Sequence, residues 1–206
     1  MSIKLYRHPL SGHSHRVELF LSLLELDAEL IDVDLMKGAH KAPEFVAKNI
    51  FGQVPLLEDG DVTIPDANAI LIYLADKYDV DNNWLPKEAE KQAEVQRFLS
   101  IAAGQVAYGP AAARLVTLFG AELDHQKTIA ISEQLLATLE THLSGRSWLA
   151  TNKPTIADIA NYAYIAHAPE GGVTLQNYPN VKAWLKRIEG LPRFVPMQSS
   201  AVGLAA

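Results

Sequence analysis

Leu10-Ser11-Gly12-His13-Ser14-His15-Arg16-Val17 places two hydroxyls, two imidazoles and a guanidinium just after the short apolar run Ile3-Lys4-Leu5-Tyr6. A hydroxyl in a turn that enters a helix can meet an anion, and the free amides of the helix's first turn face the same way. The purely structural alternative makes Ser14 the helix N-cap and Ser11 a loop residue. Histidines at 8, 13, 15 and 40 raise a metal reading, but no HExxH or similar ligand spacing occurs, so no metal site is expected. The segment lacks the closing glycine of a nucleophile elbow, and the chain has no phosphate-binding glycine loop, so hydrolase and nucleotide chemistry are unsupported.

Three more segments carry chemical potential. In Gly52-Gln53-Val54-Pro55-Leu56 a proline opens a strand, where it cannot donate to a sheet. A cis bond there would be a specific arrangement, and an exposed edge beside it could pair with an extended peptide. Pro65-Asp66-Ala67-Asn68 starts a helix with a carboxylate ahead of free amides. Asp66 could cap that helix, or face a ligand ammonium while the amides of Ala67 and Asn68 hold the ligand's carboxylate. Pro154-Thr155-Ile156-Ala157-Asp158 is an acidic capping box, with a structural role only.

Elements of both kinds must position these groups. Val17, Phe20, Leu21 and Leu24 recur at helical spacing over 14–24, and residues 28–33 alternate like a half-buried strand. A short helix is expected over 43–47, then a strand, an Asp59-Gly60-Asp61 turn and a second strand, then a helix after Asp66. The order βαβαββα argues for an α/β domain whose first two strands run parallel. Residues 79–86 have linker composition. Everything afterwards reads helical, over about 87–118, 124–143, 156–166 and 181–189, with no convincing strand after residue 81. Residues 102–113 are rich in Ala and Gly, and Pro110 should kink that helix. Small residues there suit close helix packing or a roomy pocket, for which Tyr108 and Arg114 are the polar candidates.

Among 206 residues there is no cysteine, which excludes disulfides, CxxC redox centres, thiolate nucleophiles and Cys-ligated metals. The same composition suits the cytoplasm. Residues 1–80 hold seven Lys and Arg against thirteen Asp and Glu, whereas the remainder balances at eleven of each. No basic field exists to hold nucleic acid or an anionic membrane surface. No apolar stretch reads as a membrane span, and the start MSIKLYRHPL has no continuous apolar run of the secretory kind.

Taken together, SGHSHRV, the stretch from His40 through Pro43-Glu44-Phe45 and Asn49 to Phe51-Gly52-Gln53-Val54-Pro55-Leu56-Leu57-Glu58-Asp59-Gly60, DANAILIYLA and PTIAD resemble the cytosolic glutathione S-transferase family over nearly the whole chain. The likeness is to bacterial-type, serine-hydroxyl enzymes with theta- and zeta-like motifs. It implies a thioredoxin-like glutathione-binding domain over 1–79 and an all-helical domain over 86–206 that supplies most of the electrophile pocket. It further implies that Gln53 and Val54, ahead of a cis-Pro55, flank the cysteinyl backbone of glutathione. Asp66 and Ala67 would grip the γ-glutamyl end, and His40 would reach the glycine carboxylate. Ser11 matches the catalytic hydroxyl and is favoured over Ser14. Ala67 stands where the family commonly has Ser, so one side-chain hydrogen bond to the glutamyl carboxylate is lost while the backbone amide remains. A homodimer acting on a small electrophile or peroxide is also implied, with glutathione as co-substrate.

The resemblance leaves two rivals. SGHSHRV is similar to the zeta pattern, though His13 stands in place of its Cys and Gly12 in place of its second Ser, so a glutathione-dependent isomerase is one alternative. A silent, protein-binding module is the other; Ala67 favours it slightly, and Ser11, Gln53, Pro55 and Asp66 argue against it.

Overall fold

The computed structural model describes residues 3–200, so the outermost ends of the two expected domains, 1–2 and 201–206, lie outside the described residues. Strand β1 (Ile3–Arg7) leads into helix α1 (Gly12–Leu23) and strand β2 (Ala28–Asp32). A 3-10 turn (Ala39–Lys41) and the short α2 (Pro43–Val46) precede β3 (Leu56–Asp59), β4 (Val62–Pro65) and α3 (Ala67–Tyr78). The sheet order is β2-β1-β3-β4. β1 and β2 run parallel around the α1 crossover, with Leu5 opposite Leu30, and the other two pairings are antiparallel. In the β3–β4 hairpin Asp59 pairs with Val62, so Gly60 and Asp61 form the turn. Asp59 is thereby freed to accept from Tyr73, Lys77 and Tyr78 on α3, at 2.8, 2.7 and 2.6 Å.

The second half is helical: α4 (Ala89–Ala103), α5 (Ala112–Phe119), α6 (His125–His142), α7 (Ile156–Ala166) and α8 (Pro179–Glu189). The single helix expected over 87–118 is broken. Gly104 leaves helical geometry at φ −104°, ψ −96°, and Ala107–Ala111 forms a π-helical turn around Pro110, whose ring and missing N–H forbid a regular ladder. At Gly109 a Cβ would lie 3.0 Å from Ser132 Oγ, so its smallness serves packing against α6. α8 begins at Pro179, two residues earlier than its periodicity suggests, because a proline fits a helix's first turn.

One hydrophobic cluster joins both halves. Phe20 of α1, Leu71 and Leu74 of α3, Phe98 of α4, Leu136 of α6, Ile159 of α7 and Trp184 of α8 all belong to it. The capping box forms at α7: Asp158 Oδ2 accepts from Thr155 N at 2.9 Å, and Thr155 Oγ1 accepts from Ala157 N at 3.3 Å. Asp158 also receives Leu149 N and Trp184 Nε1, both at 2.9 Å, so this carboxylate pins α8 and a loop to α7. Among the described residues no helix is long and apolar enough to cross a membrane.

Candidate active site

The turn from β1 into α1 sorts its two serines. Ser11, with extended backbone at φ −89° and ψ 115°, is the N-cap of α1, and its Oγ accepts from Ser14 N at 3.2 Å. This corrects the structural alternative that had Ser14 as cap and Ser11 as loop. Ser14 sits one turn in, 1% exposed, where its Oγ accepts from His8 N at 3.2 Å. Only the Ser11 side chain lines the large cleft. Because Oγ of Ser11 is already an acceptor from the helix, its own proton can be donated outward.

The histidines of this turn have partners within the fold, and of the three His8 and His13 also line the cleft. His8 Nδ1 accepts from Leu10 N at 3.3 Å, and burial lowers its pKa. His13 stacks edge-on against Tyr164, ring centroids 5.0 Å apart, and burial pushes its pKa down to about 3. His15 Nε2 meets Val195 O at 2.8 Å, and burial lowers its pKa to about 4. No metal-binding group of three His, Asp or Glu occurs among the described residues. Gly12 is sterically required: a Cβ there would lie 2.7 Å from the Tyr164 ring, whose hydroxyl accepts from His13 N at 3.3 Å.

The opposite lip is the loop before β3. The Val54–Pro55 bond is cis, and Val54 N and O have no partner among the described residues. Buried Asn49 holds the loop, donating from Nδ2 to Gln53 O at 2.8 Å and accepting from Phe51 N at 3.1 Å. Gly52 has φ +54°, and its would-be Cβ lies 2.6 Å from His40 O, so this position requires glycine twice over. Lys41 Nζ donates to Phe51 O and Gly52 O at 3.1 and 3.0 Å. Beside it His40 keeps a buried, unpartnered Nδ1, with its pKa lowered by burial and by Lys41. His40, Lys41, Gln53, Val54 and Pro55 all line the cleft.

At the third edge, Asp66 adopts φ +75° and its Oδ1 accepts from Ala69 N at 2.9 Å. The amides of Ala67 and Asn68 are first-turn groups with no intrahelical acceptor. The Asn68 side chain turns inward instead, accepting from Arg16 Nη1 at 2.8 Å and donating to Leu99 O at 3.0 Å. Asp66 and Ala67 line the cleft.

The cleft, about 790 Å³, is closed on its far side by the helical half through Ala107, Ala111, Arg114, Leu115, Phe119 and Tyr164. Arg114 is not solvated: 2% exposed, it donates from Nη1 to Leu10 O at 2.7 Å and from Nε to Glu170. It therefore ties α5 to the residue preceding Ser11. Tyr108, expected in the same pocket, is 68% exposed and does not line the cleft. Ala107 and Ala111 occupy the inward face of that turn, which points the intervening Tyr108 outward. Reading the sequence also missed Lys41, Phe119 and Tyr164 as cleft residues. For Lys41 its place next to His40 was a usable signal; Phe119 and Tyr164 offered none.

A cis proline and an N-cap hydroxyl of an α/β domain thus line one cleft, which a helical half closes on its far side. Residues 1–76 match the family model of the glutathione S-transferase N-terminal domain and residues 113–192 that of the C-terminal domain. The chain is 35% identical to glutathione S-transferase 3 of Zea mays, over 93% of this chain and 91% of that one. It is 30% identical to human glutathione S-transferase theta-2B, over 92% and 81%. Among solved structures, a glutathione S-transferase from Pseudomonas fluorescens superposes with a TM-score of 0.90 at 32% identity, covering 97% of this chain and all of that one. A glutathione transferase homolog from Drosophila mojavensis, solved with bound glutathione, gives 0.84 at 31%, covering 93% and 89%. The chain belongs to the glutathione S-transferase family, and its co-substrate is glutathione.

Proposed function

We propose that the protein is a serine-type glutathione transferase in which Ser11 Oγ donates a hydrogen bond to the glutathione thiolate, which attacks an electrophilic carbon or a peroxide. The observation that carries this reading is the sorting of the two serines: Ser11 faces the cleft with its proton free, and Ser14 is buried and spent on His8 N. Magnitudes support it. A thiol of pKa about 8.5 is a few per cent ionised at neutral pH, and lowering it by about two units needs roughly 2.7 kcal/mol of preference for the anion. A hydrogen bond to a charged acceptor supplies about 1.5–3 kcal/mol, and the N-terminus of α1 adds about 0.3–1. The hydroxyl is the larger contribution, and it acts as a donor rather than a base, so no triad is needed.

In this reading residues 3–79 bind the tripeptide. Its cysteinyl backbone pairs with the free groups of Val54 beside cis-Pro55 and Gln53. Its γ-glutamyl ammonium meets Asp66, and the γ-glutamyl carboxylate meets the amides of Ala67 and Asn68. Its glycine carboxylate lies near His40 and Lys41. The helical region from residue 86 supplies the electrophile pocket, an apolar wall of Ala107, Ala111, Leu115 and Phe119 with Arg114 behind it. The enzyme acts as a cytoplasmic homodimer. Titrating the thiolate absorbance of bound glutathione in wild type and Ser11→Ala tests the mechanism: the mutant thiol returns towards its solution pKa. An unchanged pKa sinks the role of Ser11, and no binding to immobilised glutathione sinks the reading as a whole.

A further inference from the structure

Arg16 is 1% exposed, yet among the described residues no carboxylate forms an ion pair with it. Its one hydrogen bond runs from Nη1 to Asn68 Oδ1, at 2.8 Å, and Nε and Nη2 have no partner among the described residues. Burial lowers its pKa only to about 10, so the guanidinium stays charged at neutral pH, with the Asp66 carboxylate as the nearby charge that favours it. Buried charges are ordinarily paired, because removing an ion from water is costly. The buried arginine that lines the cleft follows that rule, with Glu170 against Arg114. Arg16 instead lies on the inner side of α1, coupled through Asn68 to the first turn of α3. Arg16 therefore has no anion hydrogen-bonded to it among the described residues, and through Asn68 it is joined to the first turn of α3, beside the cleft edge that Asp66 and Ala67 line.

From this geometry we infer that Arg16 is a positioning residue whose buried charge is compensated by the substrate: it holds Asn68 and the start of α3, and it favours the γ-glutamyl carboxylate bound at the amides of Ala67 and Asn68. The inference rests on the functional reading above and adds a source of selectivity to it. It also explains how a region of net negative charge holds an anionic tripeptide: the relevant charge is local and buried, where salt screens it little.

The test compares glutathione with its analogue lacking the γ-glutamyl α-carboxylate, γ-aminobutyryl-cysteinylglycine, by calorimetric titration of wild type, Arg16→Gln and Arg16→Lys. Wild type should prefer glutathione by about tenfold or more, the scale of a charge-assisted contact. That preference should collapse in Arg16→Gln, which keeps a donor for Asn68 and loses the charge, and should survive largely in Arg16→Lys. A purely structural role would weaken both ligands equally and leave the ratio unchanged, which overturns the inference. Should Arg16→Gln fail to fold, wild-type protein decides through its slowly exchanging Arg16 Nε–H resonance. Glutathione should shift it and the analogue should not, and equal shifts overturn the proposal. Wild type that binds neither ligand refutes the functional reading instead.

Discussion

The starts of α1 and α7 are built from similar materials and put to opposite uses. At α7, Thr155 and Asp158 satisfy each other, and Asp158 takes in two further donors from Leu149 and Trp184. At α1, Ser11 caps through Ser14 N but leaves its own proton facing a cleft. The α7 carboxylate is spent on cohesion inside the core, whereas the α1 hydroxyl stays available. A helix N-terminus becomes a site only where its polar groups are left with unspent capacity beside open volume.

The largest expected effect that would break this contrast is on the closed end. Asp158→Ala strands three donors in the core and should cost more than about 3 kcal/mol in urea unfolding. A loss under about 1 kcal/mol would make the two ends equivalent. Acid should act with opposite sign at the two ends. His13 and His15 are held neutral, with pKa values of about 3 and 4, so the unfolded chain binds more protons below about pH 6.5. Stability should therefore fall by about 1.4 kcal/mol per pH unit per histidine between roughly pH 6 and 4. Burial raises the Asp158 carboxyl, so that group gains as pH falls. Urea midpoints of wild type and His15→Gln across this range check the slope, which should be shallower in the variant.

Ser11→Ala should lower turnover at neutral pH by about twentyfold, because the bound thiol falls from mostly ionised to a few per cent ionised, while costing only about 1 kcal/mol as a lost cap. Stopped-flow conjugation against pH would show the rate limb move to higher pH. Ser14→Ala should do the reverse, costing about 1 kcal/mol of stability because His8 N loses its acceptor and leaving the bound thiol pKa in place. If Ser14→Ala moved the thiol pKa as far as Ser11→Ala, the sorting of the serines would not be functional.

Much of the fold was legible in the chain. The parallel β1–β2 crossover, the β3–β4 hairpin, the span of α7 and its capping box follow from periodicity and local capping, interactions between residues a few positions apart. The long helix expected over 87–118 ends at Gly104, which leaves helical geometry, and Pro110 then turns 107–111 into a π-helical segment whose Gly109 packs against α6, features that periodicity alone does not register. In the candidate site, His40, Gln53, Val54, Pro55, Asp66 and Ala67 could be named because their motif lies in one continuous stretch. Tyr108 was misjudged because its polarity suggested a pocket, whereas Ala107 and Ala111 take the inward face of the turn and leave Tyr108 exposed.

The sequence by itself determined most of the elements, the likeness to the family and the absence of any cysteine thiol in the chain. Tertiary structure alone decided which serine faces the cleft, that Tyr164 packs over Gly12, that Arg114 holds Leu10 O, and that Arg16 is buried against Asn68. The physical reason is range. Caps and periodicities are set by near neighbours, while exposure and charge compensation depend on partners such as Arg16 and Asn68, or His13 and Tyr164, which lie 52 and 151 residues apart and meet only once the core has closed.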